Sequence, residues 1–150
     1  MSRINRVVPS LFCDSNIVLK YERVTTFRLL GVHVMNDLKW AQHVEAISSK
    51  AASRLHFLKQ LKRSGAGQND LLCFYDTVIR PVLEYACPAW HSSLMVAQSK
   101  TIEAIQRRAM KIIFADNDYT MSLIRARMDT LEPRRAVLTE RFFRLSLIHI

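Results

Sequence analysis

The chain is poor in residues that interrupt regular structure, with three glycines and four prolines among 150 residues. That scarcity argues against a loop-rich all-β fold and for long regular elements. Cysteine is scarce too. Cys13, Cys73 and Cys87 are odd in number and match neither a disulfide framework nor a zinc-ligand spacing. A reducing intracellular compartment, nuclear or cytoplasmic, is the default expectation. No apolar run approaches the roughly 18–20 residues that cross a bilayer. The opening MSRINRVVPSLFCDS is basic but lacks an apolar stretch with a cleavage site, so no signal peptide is expected. No glycine-rich phosphate loop is present either. SGAG at 64–67 follows a helical pattern rather than a strand. The serines have no evident His/Asp arrangement around them, and no small-molecule substrate is expected.

Acid is the remaining shortage. Thirteen Asp and Glu face 22 Lys and Arg, a formal charge of +9. A basic excess of this size suits a polyanion, either nucleic acid or an anionic membrane surface. Hydrophobic residues make up 49% of the chain, with seven Phe, four Tyr and two Trp, enough to build a packed core. The length fits one domain, or a small domain with an appendage.

Residues 4–34 read as strand. The stretches 16–21 and 24–34 are rich in Val, Ile, Thr, Phe and Tyr, with Glu22 and Arg23 as a polar break that would join them. Gly31 inside the second run suggests a bulge or a close backbone approach. After the Asn36-Asp37 turn the period changes to about 3.6. Trp40, Val44, Ile47, Ala51, Leu55, Leu58 and Leu61 share one helical face, and Lys50, Arg54, Lys59, Lys62 and Arg63 lie mostly elsewhere. This predicts a helix over about 39–63, stopped by SGAG. Asn69 or Asp70 is placed to cap a second helix that Pro81 kinks or restarts. A third fits 93–114, with Arg107, Arg108 and Lys111 on its basic side, and further helices fit 121–128 and 134–147. The expected fold is mainly α with a short N-terminal β hairpin (α+β). A β ribbon would occupy 1–38 and a basic helical bundle 39–150.

Several strings along this pattern resemble the region after the catalytic palm in reverse transcriptases of LINE-type (non-LTR) retrotransposons. They are FRLLGV at 27–32, LKW at 38–40 with His43, VIRPVLEYA at 78–86, Trp90, IEAIQRRA at 102–109, and Leu131 with Arg134 and Arg135. The resemblance implies a primer-grip-like hairpin at Leu30 and Gly31, a remnant of the palm, followed by a thumb-like helical domain. It implies an RNA-directed DNA polymerase as parent, with an RNA/DNA template–primer as partner. Its catalytic aspartates and their divalent metal, Mg, would belong to an upstream palm absent from this chain. On that reading the chain is a non-catalytic fragment with no cofactor of its own. Independently, a helical bundle with one basic face can track phosphates without reading bases. Lys50, Arg54, Lys62, Arg63, Arg107, Arg108 and Lys111 are the candidates.

Three strings imitate catalytic or metal sites. FADND at 114–118 resembles an aromatic-Ala-Asp-Asp turn, but it follows a long helical pattern and lies far after Gly31. A helix-terminating loop is the expectation. His43-Val44-Glu45 has the His-x-carboxylate form of an iron triad, with His91 as a possible third ligand. The ribbon and helix around it also resemble a segment at the N-terminus of an AlkB-type alkylated-nucleic-acid repair family, which would suggest a dioxygenase or an attached methyltransferase. Such an oxygenase needs a barrel of about eight strands, and the pattern offers two or three. CPAWH at 87–91 pairs a Cys with a His but lacks a second ligand pair, and reads as a tight connection burying Trp90. The competing readings are a basic helical module that contacts nucleic acid or protein, and a fragment that resembles the N-terminal segment of the AlkB-type alkylated-nucleic-acid repair family.

Overall fold

The computed structural model describes residues 24–148. The strand expected at 16–21, its Glu22-Arg23 connection and Cys13 lie outside the described residues. Two antiparallel strands, β1 (Thr26–Leu29) and β2 (Val32–Met35), precede seven helices: α1 (Ala41–Arg63), α2 (Gln68–Phe74), α3 (Arg80–Glu84), α4 (Cys87–Trp90), α5 (Val96–Phe114), α6 (Tyr119–Ala126) and α7 (Leu131–Ile148). The mainly helical fold with a short hairpin is as the periodicity predicts.

The hairpin itself is placed differently. Residues 24–34 are not one strand. The chain reverses at Leu30-Gly31, with Leu29 opposite Val32. Both turn residues have positive φ, 47° and 86°, which is the backbone of a two-residue type I′ hairpin loop. Glycine adopts that conformation freely and leucine does not. What holds Leu30 there is distant in sequence. The Tyr85 hydroxyl donates to the Leu30 carbonyl at 2.8 Å. A Cβ on Gly31 would also stand 3.6 Å from the Tyr85 ring.

α1 buries the predicted face: Val44, Ile47, Ala51, Leu55 and Leu58. It ends where SGAG predicts. Gly65 turns left-handed at φ 88°, Gly65 N–H donates to Lys62 O at 3.1 Å, and Ala66 N–H donates to Leu61 O at 3.1 Å. That pair of bonds is a Schellman stop. α2 starts one residue before the expected caps, at Gln68 after Gly67, with no side-chain cap. It widens into a π-helical turn, Tyr75–Ile79, before α3 resumes. The wide turn sits just ahead of Pro81, whose missing N–H cannot continue the regular ladder. Residues 91–93 form a 3₁₀ turn, so α5 starts at Val96 rather than at Ser93.

α1 and α5 lie side by side and parallel. Gln98 and Thr101 share a groove with Ala41 and Val44, while Lys62 reaches Ile113 at the other end. The core runs between this pair and the α2–α4 stretch, with Tyr75, Leu83, Trp90, Ile102 and Leu131 wholly enclosed, and β2 contributes Val32. Beyond Arg141 every described side chain of α7 is exposed.

Candidate nucleic-acid interface

Each basic candidate is a long side chain whose base lies outside the core, so what matters is where its nitrogen ends. Two turn inward. Arg54 Nη1 donates to the Val78 carbonyl, an oxygen of the π-helical turn. Lys62 Nζ donates to the carbonyls of Ile112 and Ile113, closing the C-terminal end of α5. A cation there meets the negative end of the helix dipole. Arg107 is exposed but stacks on Tyr119, its guanidinium carbon 4.9 Å from the ring centre. Lys50 lies on the opposite flank of α1, in a groove with Arg28, His33 and Tyr85.

The remaining three converge. Arg108 and Lys111 line a groove of about 540 Å³ between α5 and α1, facing His56 and Lys59 across a floor of Ala52, Leu55 and Ile112. Arg63 follows Lys59 by four residues and so extends the same side of α1. Among the described residues, Lys59, Arg63, Arg108 and Lys111 take part in none of the ion pairs, which lie elsewhere at Lys39–Asp37, Arg80–Asp76, Arg125–Asp116, Arg134–Glu84 and Arg144–Glu140. Lys59 and His56 were not among the sequence candidates. The signal for Lys59 was its place in the α1 charge pattern, while nothing in the sequence points α5 at His56. Farther upstream the α1–α5 seam is lined by Glu45, Ser48, Gln98 and Thr101, with Arg108 shared between the two stretches, while Lys59 and Lys111 line the downstream groove alone.

The conspicuous polar strings around the groove hold the fold together. Gln106 is buried. It accepts from the Tyr75 hydroxyl at 2.6 Å and donates to Tyr119 Oη at 2.9 Å and Asp129 O at 3.0 Å. Glu103 accepts from Tyr119 and, at 2.9 Å, from the backbone N–H of Leu131 at the start of α7. Burial raises the pKa of both tyrosines, keeping them neutral donors. Arg134 pairs with Glu84 at 2.5 Å. Arg135, wholly buried, lies over Trp90 at 5.8 Å and donates to Ser99 Oγ at 3.0 Å.

The three imitators resolve as structure. FADND ends α5: Ala115 is left-handed, and the Asp118 carboxylate accepts from Met121 N–H at 3.1 Å, capping α6. CPAWH is α4 and the turn after it, with Trp90 wholly buried and its indole N–H donating to Tyr85 O at 3.0 Å. An iron triad does not fit at His43. Its ring is fully enclosed, with Trp90 5.4 Å away and its Nδ1 accepting from His33 N–H. Glu45, two residues along the helix, points elsewhere and is exposed. Among the described residues, no three His, Cys, Asp or Glu side chains gather in a group able to hold a metal, and no helix is long and apolar enough to cross a membrane.

The family model described as "Alkylated DNA repair protein alkB homolog 8, N-terminal" matches residues 40–80, which are α1, α2 and the π-helical turn. No curated protein and no solved structure matches the chain. The family match corrects the retrotransposon reading. It falls on the segment that carries Trp40, His43 and the start of VIRPVLEYA, and it is to an AlkB-type family rather than a reverse transcriptase. The primer-grip role of Leu30 and Gly31, the template–primer partner and the upstream palm rested on the polymerase likeness and lose that basis. The match covers well under half of the chain, so it is a likeness of one segment.

Proposed function

We propose that this chain is a nucleic-acid-binding module that grips the phosphate backbone in the groove between α1 and α5. One observation carries the reading: Lys59 from α1 meets Arg108 and Lys111 from α5 in one groove, Arg63 lies one helical turn beyond Lys59, and none of the four is paired to an acid among the described residues. Cations gathered without counter-ions repel one another and are relieved by an external polyanion. The groove floor, Ala52, Leu55 and Ile112, is aliphatic, and the imidazole of His56 is the one ring in the groove's lining. Recognition is therefore of phosphates and indifferent to sequence. The family matched over residues 40–80 is named for alkylated-DNA repair, and that name points to the same class of partner. The reading is of binding, with no chemistry assigned to the groove.

The test is fluorescence anisotropy of a labelled DNA duplex of about 20 base pairs with the purified chain. Reversing two charges, Lys59→Glu with Lys111→Glu, is expected to weaken binding at least about tenfold. Unchanged affinity in the folded double variant would end the proposal.

A further inference from the structure

We infer that the other flank of α1, the side facing α2 and α3, is a docking trench for an acidic amphipathic helix of a partner protein. Two open grooves make the trench. One, of about 780 Å³, is lined by Phe57, Leu61, Phe74 and Val78, with Arg54 at its edge. The other, of about 320 Å³, holds Arg28, Lys50, Ile47, Val82 and Tyr85. They join end to end, because Lys50 precedes Arg54, and Val78 precedes Val82, by one helical turn. From Ala46 to Leu61 the trench follows about 22 Å of α1, which matches a guest helix of about four turns.

The lining specifies the guest. Large apolar side chains are left in water: Phe57 is 55% exposed and Tyr85 53%. Apolar anchors spaced along one face of a helix would cover them. No carboxylate lines either groove, while Arg28 and Lys50 stand at one end, so the guest carries acid there. A second copy of this chain, at +9, would bring like charges together. A nucleic acid would gain little from a mostly apolar trench in which Arg54 is already bonded to the Val78 carbonyl.

The probe is a fluorescein-labelled helical peptide of about 16 residues, with Leu and Phe along one face and Glu elsewhere, titrated with the full chain. Saturable binding is expected. Phe57→Asp and Lys50→Glu should each weaken it about tenfold, and the Lys59→Glu, Lys111→Glu double variant should leave it within about twofold. Both trench positions are exposed, so unchanged circular dichroism is expected of both single variants. The inference is overturned if binding is not saturable or if the double variant loses it equally, which would be bulk charge attraction. It is overturned too if duplex DNA displaces the peptide with the same sensitivity to Lys50→Glu, or if Phe57→Asp abolishes only self-association in sedimentation. Duplex binding by the α1–α5 groove is measured separately, so failure of one site leaves the other standing.

Discussion

Lys62, in the last turn of α1, donates its ammonium to the carbonyl of Ile113 at 3.1 Å and also bonds that of Ile112, so one helix caps the C-terminal end of the other. Lys59, three residues earlier, faces the groove instead. The two lysines should separate by experiment. Lys62→Met removes the cap and is expected to lower unfolding free energy by about 1 kcal/mol, with little change in duplex affinity. Lys59→Met should do the reverse. Urea unfolding alongside anisotropy reads both, and equal losses of affinity would remove the distinction.

Gln106 is the junction of a buried network that ties the π-helical turn, α6 and the approach to α7 to α5. Gln106→Ala leaves the Tyr75 hydroxyl buried with no acceptor and removes the donor to the Asp129 carbonyl and to Tyr119 Oη, which keeps its bond to Glu103. A loss of about 2–4 kcal/mol is expected in chemical denaturation. A loss under about 0.5 kcal/mol would mean that the network contributes little beyond packing.

His43 should make stability depend on pH. Burial, with His33 nearby, lowers its pKa from 6.5 to about 4. The unfolded chain therefore binds a proton between those values that the native chain refuses. The stabilisation is intact above pH 6.5 and falls as the pH drops towards 4, by about 3 kcal/mol in all. His43→Phe, which keeps a ring against Trp90, should flatten that part of the pH–stability curve. A wild-type curve already flat from pH 6.5 to 4 would contradict the burial argument.

Much of the fold is legible in the residues. The 3.6 period from Trp40 and the SGAG stop define α1 to within two residues, because both signals are local. The hairpin turn is not legible. Leucine at φ 47° contradicts local preference, and it is the Tyr85 hydroxyl, 55 residues away, that holds the turn. The site is half legible. A helical wheel shows which cations leave the core, yet Arg54 and Lys62 bend back to carbonyls, and only tertiary structure brings Lys59 opposite Arg108. The polymerase likeness misleads for a related reason. Glu84, Tyr85, Trp90, Gln106 and Arg134, which supply much of it, here bind helices and hairpin to one another. A likeness in residues that assemble a fold carries no ligand with it.

Duplex affinity against salt concentration tests the groove most directly. Four cations that displace counter-ions from phosphates, Lys59, Arg63, Arg108 and Lys111, give a slope of about −3 to −4 in log K against log salt, and the Lys59→Glu, Lys111→Glu variant should lose about half of it. A slope near zero, or the same slope in wild type and variant, would contradict the assignment of phosphate binding to the α1–α5 groove.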